Sequence, residues 1–182
     1  LDIPETAGRT PTETVHDFLR HRKMLLLLDN FEQIIEAASE LLAVLSAAGG
    51  VTAFVTSRTV LHVYGEYEYP VSPLALPPNV NEVDPDVLRT IPAIALFIER
   101  SRAVNPRFDL TAGNAEAVAR ICARLDGLPL AIELAAARSR LLSPSVLLSQ
   151  LSSSLDLAAT YCHISERQRT MRGAIEWSYS LL

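Results

Sequence analysis

Apolar and polar positions in the first half of the chain predict strands and helices in alternation. An unbroken apolar run over residues 24–28 turns polar at Asp29, which is typical of a strand covered on both faces of a parallel sheet. Apolar residues then recur at helical spacing over residues 31–45, and a second β-rich run follows at 51–56. A shorter third strand is predicted over residues 69–76, although two prolines weaken it. This order predicts a parallel sheet with right-handed crossovers.

The second half of the chain is helical by the same criterion. Apolar stripes at helical spacing predict helices over residues 94–104, 115–125 and 130–140, and a fourth that begins at residue 144. The short connections between them favour a small helical bundle. The serine run at 152–154 is interpreted as a surface loop.

Local signals mark several helix boundaries. Thr10 and Glu13 have the spacing of a capping box, with Pro11 at the first helical position. Gly127 ends one predicted helix, and Pro129 suits the first turn of the next. By itself this second signal also fits an ordinary corner between two helices.

Composition and charge narrow the class of protein. The 182 residues are 49% hydrophobic, which argues against a disordered chain. The formal net charge is −5 without a basic stripe, so we expect no direct contact with nucleic acid. No apolar run approaches the ~18 residues of a membrane span, and no signal peptide is recognisable, so a cytoplasmic location is expected. Cys122 and Cys162 lack metal-ligand spacing, and Cys122 is expected to be a reduced core thiol.

The first candidate for chemistry is Asp29, at the end of the first predicted strand. Ligands of open α/β sheets bind beyond the carboxyl ends of the strands, and an aspartate there can hold a hard cation that bridges to phosphates. This is the chemistry of a Walker B motif. The alternative is a helix cap, because Asp29 with Glu32, or Asn30 with Gln33, also has capping-box spacing.

The second candidate is Arg58, which follows the small hydroxyl side chains at the end of the second predicted strand. A guanidinium in that position can reach a γ-phosphate and report its presence. The alternative is a solvated arginine at a strand end.

Four segments, taken together in this order, resemble the NB-ARC-type signal-transduction ATPases of the STAND class. The resemblance is greatest to the bacterial branch of predicted ATPases linked to LuxR-type and SARP-type transcription regulators. It covers the chain from about residue 10 to residue 182, and residues 167–179 resemble the opening of that family's winged-helix module. The four segments are LLLLDNFEQ (25–33), VTSR (55–58), YPVSPL (69–74) and GLPLAIELAA (127–136).

The resemblance implies an α/β fold class with three parts. Residues 1–78 form a partial parallel P-loop NTPase sheet, residues 79–160 a helical bundle acting as a lid domain, and residues 161–182 the first helix of a winged-helix module. A P-loop needs G-x-x-x-x-G-K-[ST], and the one lysine, Lys23, has no glycine run near it. We therefore expect the P-loop to lie upstream of Leu1 and the chain to be a fragment that begins after it.

The resemblance also implies a nucleotide-gated switch that uses ATP, ADP and Mg²⁺. Asp29 is then the magnesium-associated carboxylate, Arg58 the γ-phosphate sensor, and Pro129 the contact that couples nucleotide to the bundle. Many P-loop ATPases have a catalytic glutamate after the aspartate, but Asn30 stands there and cannot take a proton at neutral pH. Glu32 is therefore the candidate general base. Asn30 is assigned a contact with the nucleotide. Slow hydrolysis is expected, and without a P-loop this chain binds ATP or ADP no tighter than roughly millimolar.

Two alternatives belong to other classes. The helical half can be a protein–protein interaction module without nucleotide function, or the segment near Trp177 can begin a DNA-binding domain. The expected partners are other domains of the parent protein or a second copy of the chain. The resemblance also implies that the P-loop strand, which would lie between the strands at 51–56 and 69–76, is missing, so the strand at 51–56 has an unpaired edge toward 69–76 and self-association is expected.

Overall fold

The computed structural model describes residue 3, residues 8–79 and residues 84–158, with only the helical backbone described over 152–158. The chain divides into two compact units, Leu1–Pro70 and Val71–Leu182. The first contains α1 (Pro11–Leu19), β1 (Met24–Leu28), a 3₁₀ helix (Phe31–Ala37), α2 (Ala38–Ala47) and β2 (Val51–Val55). The second contains α3 (Pro85–Leu88), α4 (Pro92–Val104), α5 (Ala115–Arg124), α6 (Pro129–Ala137), a 3₁₀ turn (Arg138–Arg140) and α7 (Pro144–Ala158).

The first unit is built on two parallel strands. β1 and β2 pair in register from Met24 opposite Val51 to Leu28 opposite Val55, as the strand–helix–strand order predicts. The capping box that begins α1 is confirmed, because Glu13 N–H donates to Thr10 Oγ1 at 3.3 Å. The Glu13 carboxylate in turn accepts the Thr10 backbone N–H at 2.8 Å.

The faces of this sheet differ, so the prediction that β1 is covered on both faces is wrong for the described residues. Leu26 and its neighbours on one face are half-buried, whereas Leu25, Leu27 and Phe54 on the other are 65%, 68% and 59% exposed. The apolar run does not alternate in polarity, so its sequence could not reveal that burial alternates along the strand.

No strand forms over residues 69–76 in the part of the chain that the structure describes, and that prediction is also wrong. The backbone groups that would pair in a sheet are used elsewhere: Leu74 N–H donates to Gly127 O at 2.9 Å, and Ala75 O accepts from Ala93 N at 3.3 Å. The segment therefore joins the helical unit, and the division at Pro70 lies eight residues before the boundary expected at residue 78. Among the described residues β2 pairs with β1 alone, so its other edge has no neighbouring strand, and self-association through that edge stays a prediction.

The predicted helix over residues 31–45 is two elements. A 3₁₀ helix runs from Phe31 to Ala37 with a non-helical Ile34 (φ −132°, ψ 37°), and α2 follows it. Asn30 occupies the N-cap position in the left-handed region (φ 56°), and its side chain makes no capping hydrogen bond. The capping interpretation of Asp29 and Asn30 is therefore wrong.

The second unit is a helical bundle, as predicted. α4 packs against α6 and α5 against α7, and the Phe97 and Phe108 rings meet edge to face with centroids 6.0 Å apart. α7 continues to Ala158, so the loop predicted at residues 152–154 is not seen. The fully buried side chains of this core include Ile94, Phe97, Leu110, Val118, Ile121, Cys122, Leu125, Ile132, Leu147 and Leu151.

Other expectations from the sequence lie outside the described residues. These are the start of a winged-helix module at 161–182, Cys162 and Trp177. Among the described helices, none has both the length and the apolar character needed to cross a membrane.

Candidate functional site

The candidate site lies where the two parallel strands end. Asp29 directly follows β1, and Thr56 directly follows β2, so the strand register places the two residues side by side. The Thr56 hydroxyl donates a hydrogen bond to Asp29 Oδ1. A carboxylate and a hydroxyl therefore share the carboxyl end of the sheet, where ligands of α/β folds bind.

Thr56 also holds the turn that follows β1. Its N–H donates to Leu28 O at 2.9 Å, and its carbonyl oxygen accepts from Phe31 N at 3.0 Å. Its hydroxyl oxygen accepts the backbone N–H of Asn30 at 3.0 Å. These bonds fix the left-handed turn that presents Asp29. From the sequence alone, Thr56 is only a small hydroxyl side chain at the end of a strand. The register of two adjacent parallel strands was the signal that could have assigned Thr56 to the site.

Glu32 and Arg58 form the second pair of this site. Arg58 Nε donates to Glu32 Oε1 at 2.7 Å, across 26 positions of sequence. The Glu32 side chain is only 13% exposed, whereas the Arg58 side chain is 71% exposed. The hydrogen bond from Arg58, and next the backbone N–H of Glu32 itself, lower the pKa of the Glu32 carboxyl below its usual value. A carboxylate held in this way is a weaker proton acceptor at neutral pH.

Four of the five predicted site residues thus lie at one end of the first unit. Asn30 Nδ2 is 3.5 Å from Asp29 Oδ2, and its amide adds no group that can accept a proton at neutral pH. Glu32 and Arg58 complete this group. Asp29, Asn30 and Arg58 are exposed, so solvent reaches the cluster directly.

Pro129, the fifth predicted residue, belongs to the second unit and begins α6 as expected. The corner before it is fixed by Gly127, which has φ +66° and lies against the backbone of Leu74. A Cβ atom on Gly127 would collide with the Leu74 carbonyl oxygen. The Gly-Leu-Pro corner is therefore a packed joint between α5, α6 and the 71–79 segment.

The donor set at the strand ends suits one half of a nucleotide site. Mg²⁺ prefers oxygen ligands and is held in phosphate sites by one or two carboxylates plus phosphate and water oxygens, which matches Asp29 beside the Thr56 hydroxyl. Within the described ranges, no group of three or more His, Cys, Asp or Glu residues forms a self-sufficient metal site. The exposed Arg58 guanidinium suits an anionic oxygen. A glycine-lysine loop for the β- and γ-phosphates is not part of the 182 residues.

Cys122 plays no part in this site. Its side chain is fully buried in the helical core, as expected for a reduced core thiol, and burial raises its pKa to about 12. Its Sγ lies 3.6 Å from the Ala93 carbonyl oxygen.

Comparison with known proteins finds long relatives that contain a segment like this chain. "Putative HTH-type transcriptional regulator Rv0890c" of Mycobacterium tuberculosis is 35% identical over 184 aligned positions, which cover 100% of the chain and 19% of the relative. Its Mycobacterium bovis counterpart of the same description, Mb0914c, matches equally. "Uncharacterized protein Rv0894" of M. tuberculosis is 33% identical, and the match covers 100% of the chain and 44% of that protein.

The chain thus spans about a fifth of the length of the first two relatives and less than half of the third. No family model and no solved structure matches it.

Proposed function

We propose that this chain is part of a nucleotide-gated switch in a bacterial transcription regulator, with ATP, ADP and Mg²⁺ as its ligands. The observation that carries the proposal is the joint placement of Asp29 and Arg58 at the ends of adjacent parallel strands, each tied to a partner side chain. Two relatives carry the name "Putative HTH-type transcriptional regulator", and these names support the regulatory half of the proposal. The segment resemblance to NB-ARC-type ATPases supports the nucleotide half.

Each residue of the site has a distinct part in this proposal. Asp29 offers a carboxylate to Mg²⁺, and the Thr56 hydrogen bond holds that carboxylate at the strand end. Bound Mg²⁺ would neutralise phosphate charge. Arg58 contacts the γ-phosphate, which distinguishes ATP from ADP. Asn30 contacts nucleotide without acting as a base, which favours a slow switch over rapid turnover.

A protein–protein interaction module is the second candidate. It is favoured by exposed apolar side chains on the helical unit, where Leu130, Leu141 and Val146 are 50%, 77% and 42% exposed. Such residues are common singly on protein surfaces, so they support this function less than the polar cluster supports the first. Detection of bound nucleotide in the complete encoded protein would favour the switch over the interaction module.

The proposal is tested by the magnesium dependence of ATP binding to the complete encoded protein. Binding of a fluorescent ATP analogue is measured with Mg²⁺ and with EDTA, for the native protein and for Asp29→Ala. Native binding should strengthen with Mg²⁺, and the variant should lose that gain because the cation loses a carboxylate. Asp17→Ala, which removes an exposed carboxylate of α1, is the matched control and should behave as the native protein. Equal Mg²⁺ dependence in Asp29→Ala would exclude Asp29 as the cation site.

A further inference from the structure

The ion pair between Glu32 and Arg58 is asymmetric in burial. The Glu32 side chain is 13% exposed and stands in the first turn of the 3₁₀ helix, whereas the Arg58 side chain is 71% exposed on the segment after β2. The less exposed partner, Glu32, belongs to a 3₁₀ helix, whereas Arg58 lies outside any helix or strand. Glu32 is therefore the better placed of the two to fix the position of its partner.

The Arg58 guanidinium makes this contact through its Nε–H group. Among the hydrogen bonds of the described residues, the Arg58 side chain makes one, from Nε to Glu32 Oε1 at 2.7 Å. A guanidinium is a rigid planar fork with five donors, of which Nε provides one and the two terminal nitrogens provide four. With Nε engaged, the terminal nitrogens remain to meet an anionic oxygen end-on.

We propose that Glu32 is a positioning residue, which orients the Arg58 guanidinium so that its terminal nitrogens face the γ-phosphate of bound ATP. This inference rests on the proposed nucleotide function. It gives Glu32 a different role from that of a catalytic base. An exposed arginine loses side-chain entropy when a ligand immobilises it, and a fixed Nε reduces that loss on binding.

A carboxylate beside an arginine can also act in the opposite sense, by competing with phosphate for the guanidinium. The two roles predict opposite changes in ATP affinity when the Glu32 carboxylate is removed. If Glu32 positions Arg58, removing the carboxylate weakens ATP binding, whereas if Glu32 competes, removing it strengthens ATP binding. Glutamine separates orientation from charge, because its amide oxygen still accepts from Nε.

The experiment is calorimetric titration of the complete encoded protein with MgATP and with MgADP. The variants are Glu32→Ala, Glu32→Gln, Arg58→Ala and the double variant, with Glu36→Ala as the control from the same 3₁₀ helix. Glu32→Ala should weaken MgATP binding on the order of tenfold, the value of an oriented charge-assisted hydrogen bond, and leave MgADP binding unchanged. Glu32→Gln should retain most of the MgATP affinity. Adding Glu32→Ala to Arg58→Ala should cause no further loss of MgATP affinity, because both residues act through the contact of Arg58 with the γ-phosphate.

The outcomes distinguish this inference from the proposed function. If Arg58→Ala selectively weakens MgATP binding but Glu32→Ala does not, or strengthens it, the positioning role is overturned and the γ-phosphate contact stands. If Arg58→Ala weakens MgATP and MgADP binding equally, both the contact and the positioning role are overturned. A loss of MgADP binding in Glu32→Ala, which Glu32→Gln does not restore, would make Glu32 a residue that only maintains the fold.

Discussion

Leu74 donates its backbone N–H to the carbonyl oxygen of Gly127 at 2.9 Å, and its own carbonyl oxygen occupies the space that a Cβ atom on Gly127 would need. Gly127 has φ +66°, a conformation that L side chains rarely adopt. The corner between α5 and α6 thus depends on glycine for both backbone conformation and close approach.

Gly127→Ala should therefore destabilise the helical unit. The left-handed conformation alone costs a non-glycine residue about 1–2 kcal/mol, and the collision with Leu74 adds to this, so a loss of at least about 2 kcal/mol is expected. Urea unfolding followed by circular dichroism measures it. Gly113→Ala is the control, since its Cβ would meet only Thr111 Oγ1 at 3.8 Å. Equal stability of the two variants would show that the corner tolerates a side chain.

The exposed sheet face should promote self-association of the 182-residue chain. Leu27 is 68% exposed on that face, beside Leu25 and Phe54. Leu27→Lys should lower the mass measured by light scattering at high concentration and leave the unfolding midpoint nearly unchanged, because an exposed side chain loses little packing. Leu26→Lys, on the half-buried face, is the comparison and should destabilise the chain. Unfolding caused by Leu27→Lys would mean that this face is covered within the chain.

Cys122 should be inert to thiol reagents while the chain is folded. Reaction requires the thiolate, and burial raises the Cys122 pKa to about 12, so the thiol remains protonated at neutral pH. In a Cys162→Ser background, a chromogenic disulfide reagent at pH 8 should label the chain only after denaturant is added. Rapid labelling of the native variant would contradict the burial of this side chain.

Asp109 should make the helical unit sensitive to acid. Hydrogen bonds from Arg89 at 2.8 Å and from Arg102 at 2.6 Å lower the pKa of its carboxyl well below the usual range. Asp109 has a lower pKa in the folded chain than in the unfolded chain. Its ionised carboxylate therefore stabilises the folded state above the unfolded pKa of about 4, and this stabilisation is lost as pH falls through the folded pKa.

The measurement is the urea unfolding midpoint of the native chain and of Asp109→Asn between pH about 7 and about 3. At neutral pH the native chain should be more stable than Asp109→Asn, and this difference in unfolding midpoint should shrink on acidification. Asp86→Asn is the control, because its carboxylate lies farther from Arg89, at 3.7 Å, and is almost fully exposed. A difference that stays constant with pH would show that the Asp109 charge is not responsible.

The features that the sequence predicted correctly rest on local signals. The α1 capping box depends on Thr10 and Glu13, three positions apart, and the start of α6 depends on Pro129. The strands β1 and β2 follow from apolar runs, and their parallel pairing follows from the intervening helix.

The features that the sequence missed depend on distant partners. The strand expected over 69–76 fails because Leu74 bonds to Gly127, more than fifty positions along the chain. The links from Thr56 to Asp29 and from Arg58 to Glu32 span 27 and 26 positions, so residue types alone could nominate the candidates but not their pairing. Whether both faces of a strand are covered likewise depends on which distant residues pack against them, and an apolar run does not encode that.

The most direct test of the nucleotide switch is the response of ATP and ADP affinity to Arg58→Ala in the complete encoded protein. Arg58 is expected to contact only the γ-phosphate, so calorimetry should give nearly unchanged ADP affinity. ATP affinity should be lower by the value of a charge-assisted hydrogen bond, on the order of 1.5–3 kcal/mol. Equal weakening of both nucleotides, or no binding of either to the native protein, would contradict the account.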